Sequence, residues 1–333
     1  MAVRLRDVAE RAGVSVRTAS NVVNDFPHVK PSTRLRVQSA IDELGYRPNL
    51  SARQLKYGRS GFIALAIPQI DSPYFAELAQ KFTEAAAERG FIALMDVTNG
   101  RPELEKQVMS GVQSHMVDGV VFSPLSVKAK DFLARKDTTP MVLLGERAVP
   151  EGYDHVAVDS IVASRAMVEH LLGLGRRRIA VIGYEAFDGT ASVRLQGYRD
   201  ALSAAGLPLE DELMVGVPAY LRAEGQAAMQ RLLALPSPPD AVFCFNDLMA
   251  IGALSACRQA GVRVPEDVAV AGFDGIAEGV FSDPPLTTIQ PDLGALTTQA
   301  LRLLLGRIDG SLTSPAEDYK VPWKLVVRAS TVR

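Results

Sequence analysis

From Phe62 onward, short runs of consecutive apolar residues alternate with longer stretches whose apolar positions recur at helical spacing. "FIALAI" is followed by "YFAELAQKFTEAAAERG", an amphipathic helix closed by Gly90. "FIALMDV", "DGVVF" and "MVLL" repeat the strand theme, with helical segments between them. A second series begins at "RIAVIG" and continues through "AVFCF" and "VAVAGF", separated by helices such as "DLMAIGALSACRQAG". A fully apolar strand is one buried on both faces, and a strand–helix–strand order makes neighbouring strands parallel. Two series therefore predict two α/β lobes, each a parallel sheet flanked by helices. The 333 residues, 47% of them hydrophobic, are enough for two or three domains with sizeable cores.

Ligands of open parallel sheets sit at the carboxyl ends of the strands. After "FIALAI" come Ser72, Tyr74 and Phe75, and after "MVLL" comes Glu146. The loop after "RIAVIG" leads to Arg194, and Tyr220 follows the strand-like "LMVGV". Asn246 and Asp247 follow "AVFCF", and Asp274 follows "VAVAGF". Carboxylates accept hydroxyl hydrogens, arginine donates to oxygens, and aromatic faces stack on a ring. This set suits a polar ring compound, with a sugar first and a purine or nucleoside second. Each residue also has a plainer reading: Asn246 and Asp247 as helix caps, Tyr74 and Phe75 as core, Arg194 as one half of a surface ion pair.

Residues 1–58 follow a different pattern. Val8, Ala9 and Ala12 line one helix face, and Gly13 is placed to end that helix in a left-handed conformation. Ser15 is placed to cap a second helix, with Ala19, Val22 and Val23 facing inward. Arg17, Asn21 and Asn24 fall on another face, beside Val16 and Ser20. Helix, tight turn, helix is a helix-turn-helix unit. Arginine matches guanine and asparagine matches adenine, so the outer face fits base edges. "PSTRLRVQSAIDELGY" predicts a third helix with Val37, Ala40, Ile41 and Leu44 buried and Gly45 at its end. "RPNLSARQLKYGRS" predicts a two-turn helix, too short to persist alone. In it Arg53 and Lys56 suit phosphate or minor-groove contact, and Leu55 suits insertion between base steps.

Charge divides the same way. Residues 1–60 hold eleven Lys and Arg against five Asp and Glu, net +6; the remainder holds 25 against 33, net −8. A basic head on an acidic body points to a polyanion partner for the head alone. No apolar run reaches membrane-spanning length, and "MAVRLRDVAE" lacks the apolar core of a signal peptide, so a cytoplasmic location is expected. An α/β enzyme would need a dinucleotide-binding Gly-x-Gly-x-x-Gly, a Gly-x-Ser-x-Gly elbow or a His-Glu-x-x-His, and the chain has none. The four histidines are scattered, with His28 near expected phosphate contacts. The two cysteines, Cys244 and Cys257, read as buried thiols. A binding protein rather than an enzyme is expected, with no cofactor or metal. A secreted sugar-transport protein would carry a signal peptide and no basic head.

"LRDVAERAGVSVRTASNVVN" with "TRLRVQSAIDELGYRPNLSARQL" resembles the DNA-binding head and hinge of the lactose-repressor (LacI/GalR) family of bacterial regulators. "DSPYFAEL", "RLQGYRDAL", "NDLMAIGAL", "VPEDVAVAGFDG", "PPLTTIQPD" and "LVVRAST" resemble that family's effector-binding core, itself similar to periplasmic sugar-binding proteins. The resemblance implies a helix-turn-helix head (1–47), a hinge helix and linker (48–60) and a core (61–333). It implies a first lobe of about 61–159 plus 291–319 and a second of about 160–290 plus 320–333. The base readers it implies are Val16, Arg17 and Asn21, with Ala52 and Leu55 at the hinge. The wider candidate DNA set is Leu5, Ser15, Ser20, Asn24, His28, Thr33, Tyr46, Asn49 and Lys56. Its implied effector contacts are Arg194, Asn246 and Asp274, then Tyr220, Ser72, Tyr74, Phe75 and Glu146. Many members have arginine at Asn21 and aspartate at Glu146, and often a second aspartate at Gly275. The implied partners are a pseudo-palindromic DNA operator, a small effector and a second copy of the chain. The leucine-heptad tail by which a few members form tetramers is not among the motifs, so a homodimer is expected.

Overall fold

The computed structural model describes residues 3–23, 26–46, 59–111, 116–146, 150–184 and 188–332. Asn24, Asn49, Ala52, Leu55, Lys56 and the expected hinge helix lie outside the described residues. The chain forms two compact units, Met1–Gly61 and Phe62–Arg333.

In the first unit, α1 (Leu5–Ala12), α2 (Val16–Val23) and α3 (Pro31–Leu44) close on a small core of Val8, Ala9, Ala12, Ala19, Val22, Val37 and Ala40. Gly13 takes φ +65°, and the following Val14 N–H reaches back to the Ala9 carbonyl at 3.0 Å. That left-handed turn satisfies carbonyls the ending helix leaves open. The Ser15 hydroxyl accepts from the Thr18 N–H at 3.1 Å, the expected cap of α2. Arg11 pairs with Glu43 at 2.7 Å and ties α1 to α3.

The second unit contains two six-stranded sheets. The first has the order β11-β5-β4-β3-β1-β2, built from β1 (Phe62–Ile67), β2 (Ile92–Val97), β3 (Gly119–Phe122), β4 (Met141–Leu144), β5 (Asp154–Val158) and β11 (Asp318–Val321). The second has the order β12-β10-β9-β8-β6-β7, built from β6 (Ile179–Ile182), β7 (Met214–Val215), β8 (Ala241–Cys244), β9 (Ala269–Phe273), β10 (Thr287–Pro291) and β12 (Trp323–Val326). The first sheet is parallel throughout. The second departs from the expectation: β12 runs antiparallel to β10, with Pro291 opposite Trp323. The reason is topological. No helix intervenes between β11 and β12, so the chain changes sheets and enters the second one from its far end.

Three crossings link the sheets. Asp159 caps α7 (Ser160–Gly173), accepting from the Val162 N–H at 3.1 Å, and α7 packs on the second sheet. Asp292 caps α11 (Leu293–Asp309), accepting from the Ala295 N–H at 2.9 Å, and α11 packs back on the first. Pro322 separates β11 from β12. β11 runs to Val321 in the first sheet, beyond the expected end at 319, and Pro291 stays in the second.

Helices α4 (Pro73–Glu88), α5 (Pro102–Met109) and α6 (Ala129–Leu133) follow strands of the first sheet. Helices α8 (Asp188–Ala204), α9 (Arg222–Leu233) and α10 (Asp247–Ala260) follow strands of the second. α9 and α10 touch backbone to backbone. A Cβ on Gly225 would lie 2.2 Å from the Met249 carbonyl oxygen, and one on Gly252 would lie 2.0 Å from that of Arg222. Glycine is the residue that permits this approach, and the approach fixes the start of α10 beside the loop that precedes α9. Cys244 and Cys257 are buried free thiols, and burial pushes Cys257 up to about 12.

Candidate DNA-reading face and ligand cavity

On the head, α2 presents Val16 and Arg17 to solvent, while Ser20 and Asn21 are half-buried beside them. Val16 is 47% exposed, unusual for an apolar residue on an otherwise packed helix. The Ser15 hydroxyl is engaged in the cap and also lies 2.9 Å from the Thr18 hydroxyl. His28 is exposed, its ring edge-on to Phe26 at 5.8 Å. Thr33 is half-buried at the start of α3. Leu5 and Tyr46 pack partly on the head core, so burial accounts for part of each. Among the described residues, the face therefore brings together Val16, Arg17, Ser20 and Asn21.

In the second unit all eight expected effector residues line one cavity of about 110 Å³. Strand ends, helix starts, a helix interior and a loop deliver them. Ser72 and the Tyr74–Phe75 pair stand at the start of α4; their two rings meet edge to face at 5.1 Å. Glu146 follows β4 after Gly145, whose φ is +99°. Arg194 comes from α8, and Tyr220 from the loop before α9. Asn246 is the N-cap of α10: its Oδ1 accepts from the Met249 N–H at 2.9 Å, and its Nδ2 donates to the Tyr220 carbonyl at 3.2 Å. The plain capping reading of Asn246 thus holds together with its place in the cavity. Asp274 follows β9 with φ +118°.

The charged centre is a buried triad. Arg194 Nε donates to both Glu146 oxygens at 3.1 and 3.2 Å, and its Nη2 also reaches Glu146. Nη1 donates to the Phe245 carbonyl and lies 3.7 Å from Asp274. The guanidinium carbon sits 3.6 Å from the centre of the Phe273 ring, a cation–π contact. Burial works against the Arg194 charge, but Glu146 and Asp274 outweigh it and hold its pKa above the ordinary value. Burial pushes the Asp274 carboxyl well above the usual range, against the pull of Arg194. Tyr74 and Tyr220 are also raised, first by burial. The result is a site with a fixed cation, two carboxyl groups, an amide and aromatic walls. Such a set orients a polyhydroxylated ring by charge-assisted hydrogen bonds.

Several residues that shape this cavity carry no recognisable sequence motif. Gln69, Ser123, Thr190 and Leu296 line it. Glu105 on α5 is fully buried and accepts from the N–H groups of Leu125, Ser126 and Val127 at 2.7–2.8 Å, fixing the wall at Pro124–Leu125. His155 supports the backbone before Glu146: its Nε2 lies 2.6 Å from the Gly145 carbonyl and its Nδ1 2.8 Å from Asp318. Phe273 was within reach of sequence reasoning, as the last strand residue before Asp274.

A helix-turn-helix head and a two-lobed α/β core around a polar cavity define a class: DNA-binding regulators of transcription with a ligand-binding body. Comparison with known proteins places the chain within that class. Residues 4–49 match the family described as bacterial regulatory proteins, lacI family, and residues 168–331 match the periplasmic binding protein-like domain. The transcriptional repressor PurR of Mannheimia succiniciproducens is 34% identical over 329 residues, 98% of each chain. The repressor CytR of Escherichia coli K12 is 32% identical, over 99% of this chain and 96% of that one. The CelR–cellobiose complex is similar with a TM-score of 0.74 and 32% identity, over 98% of this chain and 99% of that one. A lac repressor dimer bound to operator and the anti-inducer ONPF has a TM-score of 0.87 and 26% identity, over 100% of both. The chain belongs to the lacI family of bacterial regulatory proteins.

Proposed function

We propose that this regulator is a repressor that grips a pseudo-palindromic operator as a homodimer, with operator affinity switched by a neutral sugar. The observation that carries the reading is the convergence of Arg194, Glu146, Asp274, Asn246 and aromatic rings in one cavity. Two carboxyl groups around one arginine favour hydroxyl donors and disfavour an added anion. A relative at 32% identity is known in complex with cellobiose. In this reading residues 1–47 are the head and 48–60 the hinge, with Ala52, Leu55 and Lys56 on DNA. Residues 61–333 are the two-lobed core, its lobes divided near 159, 292 and 322. Arg17 and Asn21 read base edges, while His28, Thr33 and Asn49 hold the backbone. Ligand stabilises one arrangement of the lobes, and the operator prefers one of them, so the two affinities are linked.

The test uses an operator selected from random duplexes with the full chain. Glucose, cellobiose and adenosine are then titrated against the complex. A change of operator affinity with a sugar supports the reading; a change with adenosine and neither sugar overturns the sugar assignment.

A further inference from the structure

Behind the Asp274 turn stands a carboxylate that does not line the cavity. Asp247 is the first residue of α10 and is fully buried. Asn246 already supplies the cap of that helix, so Asp247 is not needed for it. Its Oδ2 accepts from the Ile276 N–H at 2.9 Å, and its Oδ1 accepts from the Thr288 hydroxyl at 2.6 Å. The Gly275 N–H also faces this carboxylate and lies 3.3 Å from Thr288 Oγ1. The segment directly after Asp274 is therefore held from below by one side chain and its hydroxyl partner.

The surroundings are cut to fit that clamp. A Cβ on Gly272 would lie 2.2 Å from Asp247 Oδ1. Gly275 has φ +72°, and a Cβ there would lie 2.5 Å from the Gln290 side chain. Asp274 itself sits at φ +118°, a backbone region that a non-glycine residue holds only when its surroundings fix it. Of the N–H groups that follow it, that of Ile276 donates to Asp247 and that of Gly275 to the Thr288 hydroxyl, which itself donates to Asp247.

We propose that Asp247 is a positioning residue for the ligand site, clamping the 274–276 turn so that the Asp274 carboxyl faces the cavity beside Arg194. The proposal rests on the cavity being the ligand site, and the first measurement below tests the clamp without that premise.

Three variants of the full chain separate clamp from fold. D247A removes the acceptor. D247N keeps a carbonyl oxygen for the Ile276 N–H, and its amide donates to the Thr288 hydroxyl, so it rescues. T287V removes a hydroxyl on the neighbouring strand residue, which bonds the Arg328 carbonyl at 3.0 Å and Thr331 at 2.8 Å rather than the turn. Amide hydrogen exchange at Gly275 and Ile276 is expected to rise about ten- to hundredfold in D247A. It stays near wild type in D247N and T287V. Cellobiose, followed by the fluorescence of Trp323, is the ligand probe: D247A weakens its binding about tenfold, and T287V leaves it unchanged. Unchanged exchange in D247A, or an equal rise in T287V, overturns the clamp. A wild-type chain that exchanges as expected but ignores cellobiose, glucose and adenosine counts against the ligand reading alone.

Discussion

Arg194 shows how one side chain organises a site. Its guanidinium is bonded to Glu146 and Phe245, stacked on Phe273 and placed near Asp274. Removing it strands two buried carboxyl groups, so D274N is the cleaner test. A charge-assisted hydrogen bond to ligand is worth about 1.5–3 kcal/mol. D274N is expected to weaken effector binding about ten- to hundredfold, while operator affinity without effector stays near wild type. Loss of operator binding by a folded D274N would refute this separation. Asp247 yields a pH prediction. Burial pushes its carboxyl up to about 7, against hydrogen bonds from Thr288, Ile276 and Gly275. Its unfolded value is about 3.9, so the folded state binds the proton more tightly. The stability it contributes is full below that unfolded value and is lost as pH rises through 7. Urea titrations between pH 4 and 8 are expected to show this decline in the wild type and a flatter profile in D247N.

At the scale of elements, two contacts decide where functional groups stand. Gly225 and Gly252 let α9 and α10 meet at the backbone, which sets Asn246 beside Tyr220. G252A forces the helices apart and is expected to cost about 1–3 kcal/mol, read as a lower denaturant midpoint at constant slope. In the head, α2 is held by the Ser15 cap and the Ala19–Val22 contacts, which leave Arg17 outward. R17A is expected to cost about 1–3 kcal/mol on the selected operator and far less on random duplex. Equal losses on both would make Arg17 a phosphate contact.

At the scale of the molecule, charge and connectivity divide the work. The net +6 of residues 1–60 against −8 beyond them confines polyanion attraction to the head. Operator affinity is therefore expected to fall steeply with salt, because phosphate contacts release counterions. Effector binding to the body is expected to be insensitive to salt. Trp323 is the sole tryptophan of the chain, and it stands directly after the Pro322 crossing, opposite Pro291 of the cavity wall. A ligand that changes the lobe arrangement is expected to change its emission. A ligand that alters operator affinity with no change at Trp323 would argue against movement at this crossing.

Periodicity by itself determined much of this protein. Apolar runs of four to six residues between amphipathic stretches require parallel strands, and Gly13 with Ser15 requires a turn and a cap, because these are local consequences of backbone geometry. The rule that ligands sit at strand ends gathered Tyr74, Phe75, Glu146, Arg194, Tyr220, Asn246 and Asp274 before any coordinates, with Asp247 among them, and the family resemblance added Ser72. Tertiary structure alone decided three things. It set β12 antiparallel, because chain direction after a sheet crossing depends on where the chain re-enters. It turned Asp247 away from the cavity that its neighbour Asn246 lines, because the Gly272 gap and Thr288 lie on elements distant in sequence. And it placed Glu105 and His155 behind the walls of the site, where Glu105 accepts from the N–H groups of Leu125, Ser126 and Val127 and the His155 ring meets the Gly145 carbonyl, partners that no sequence spacing connects to them.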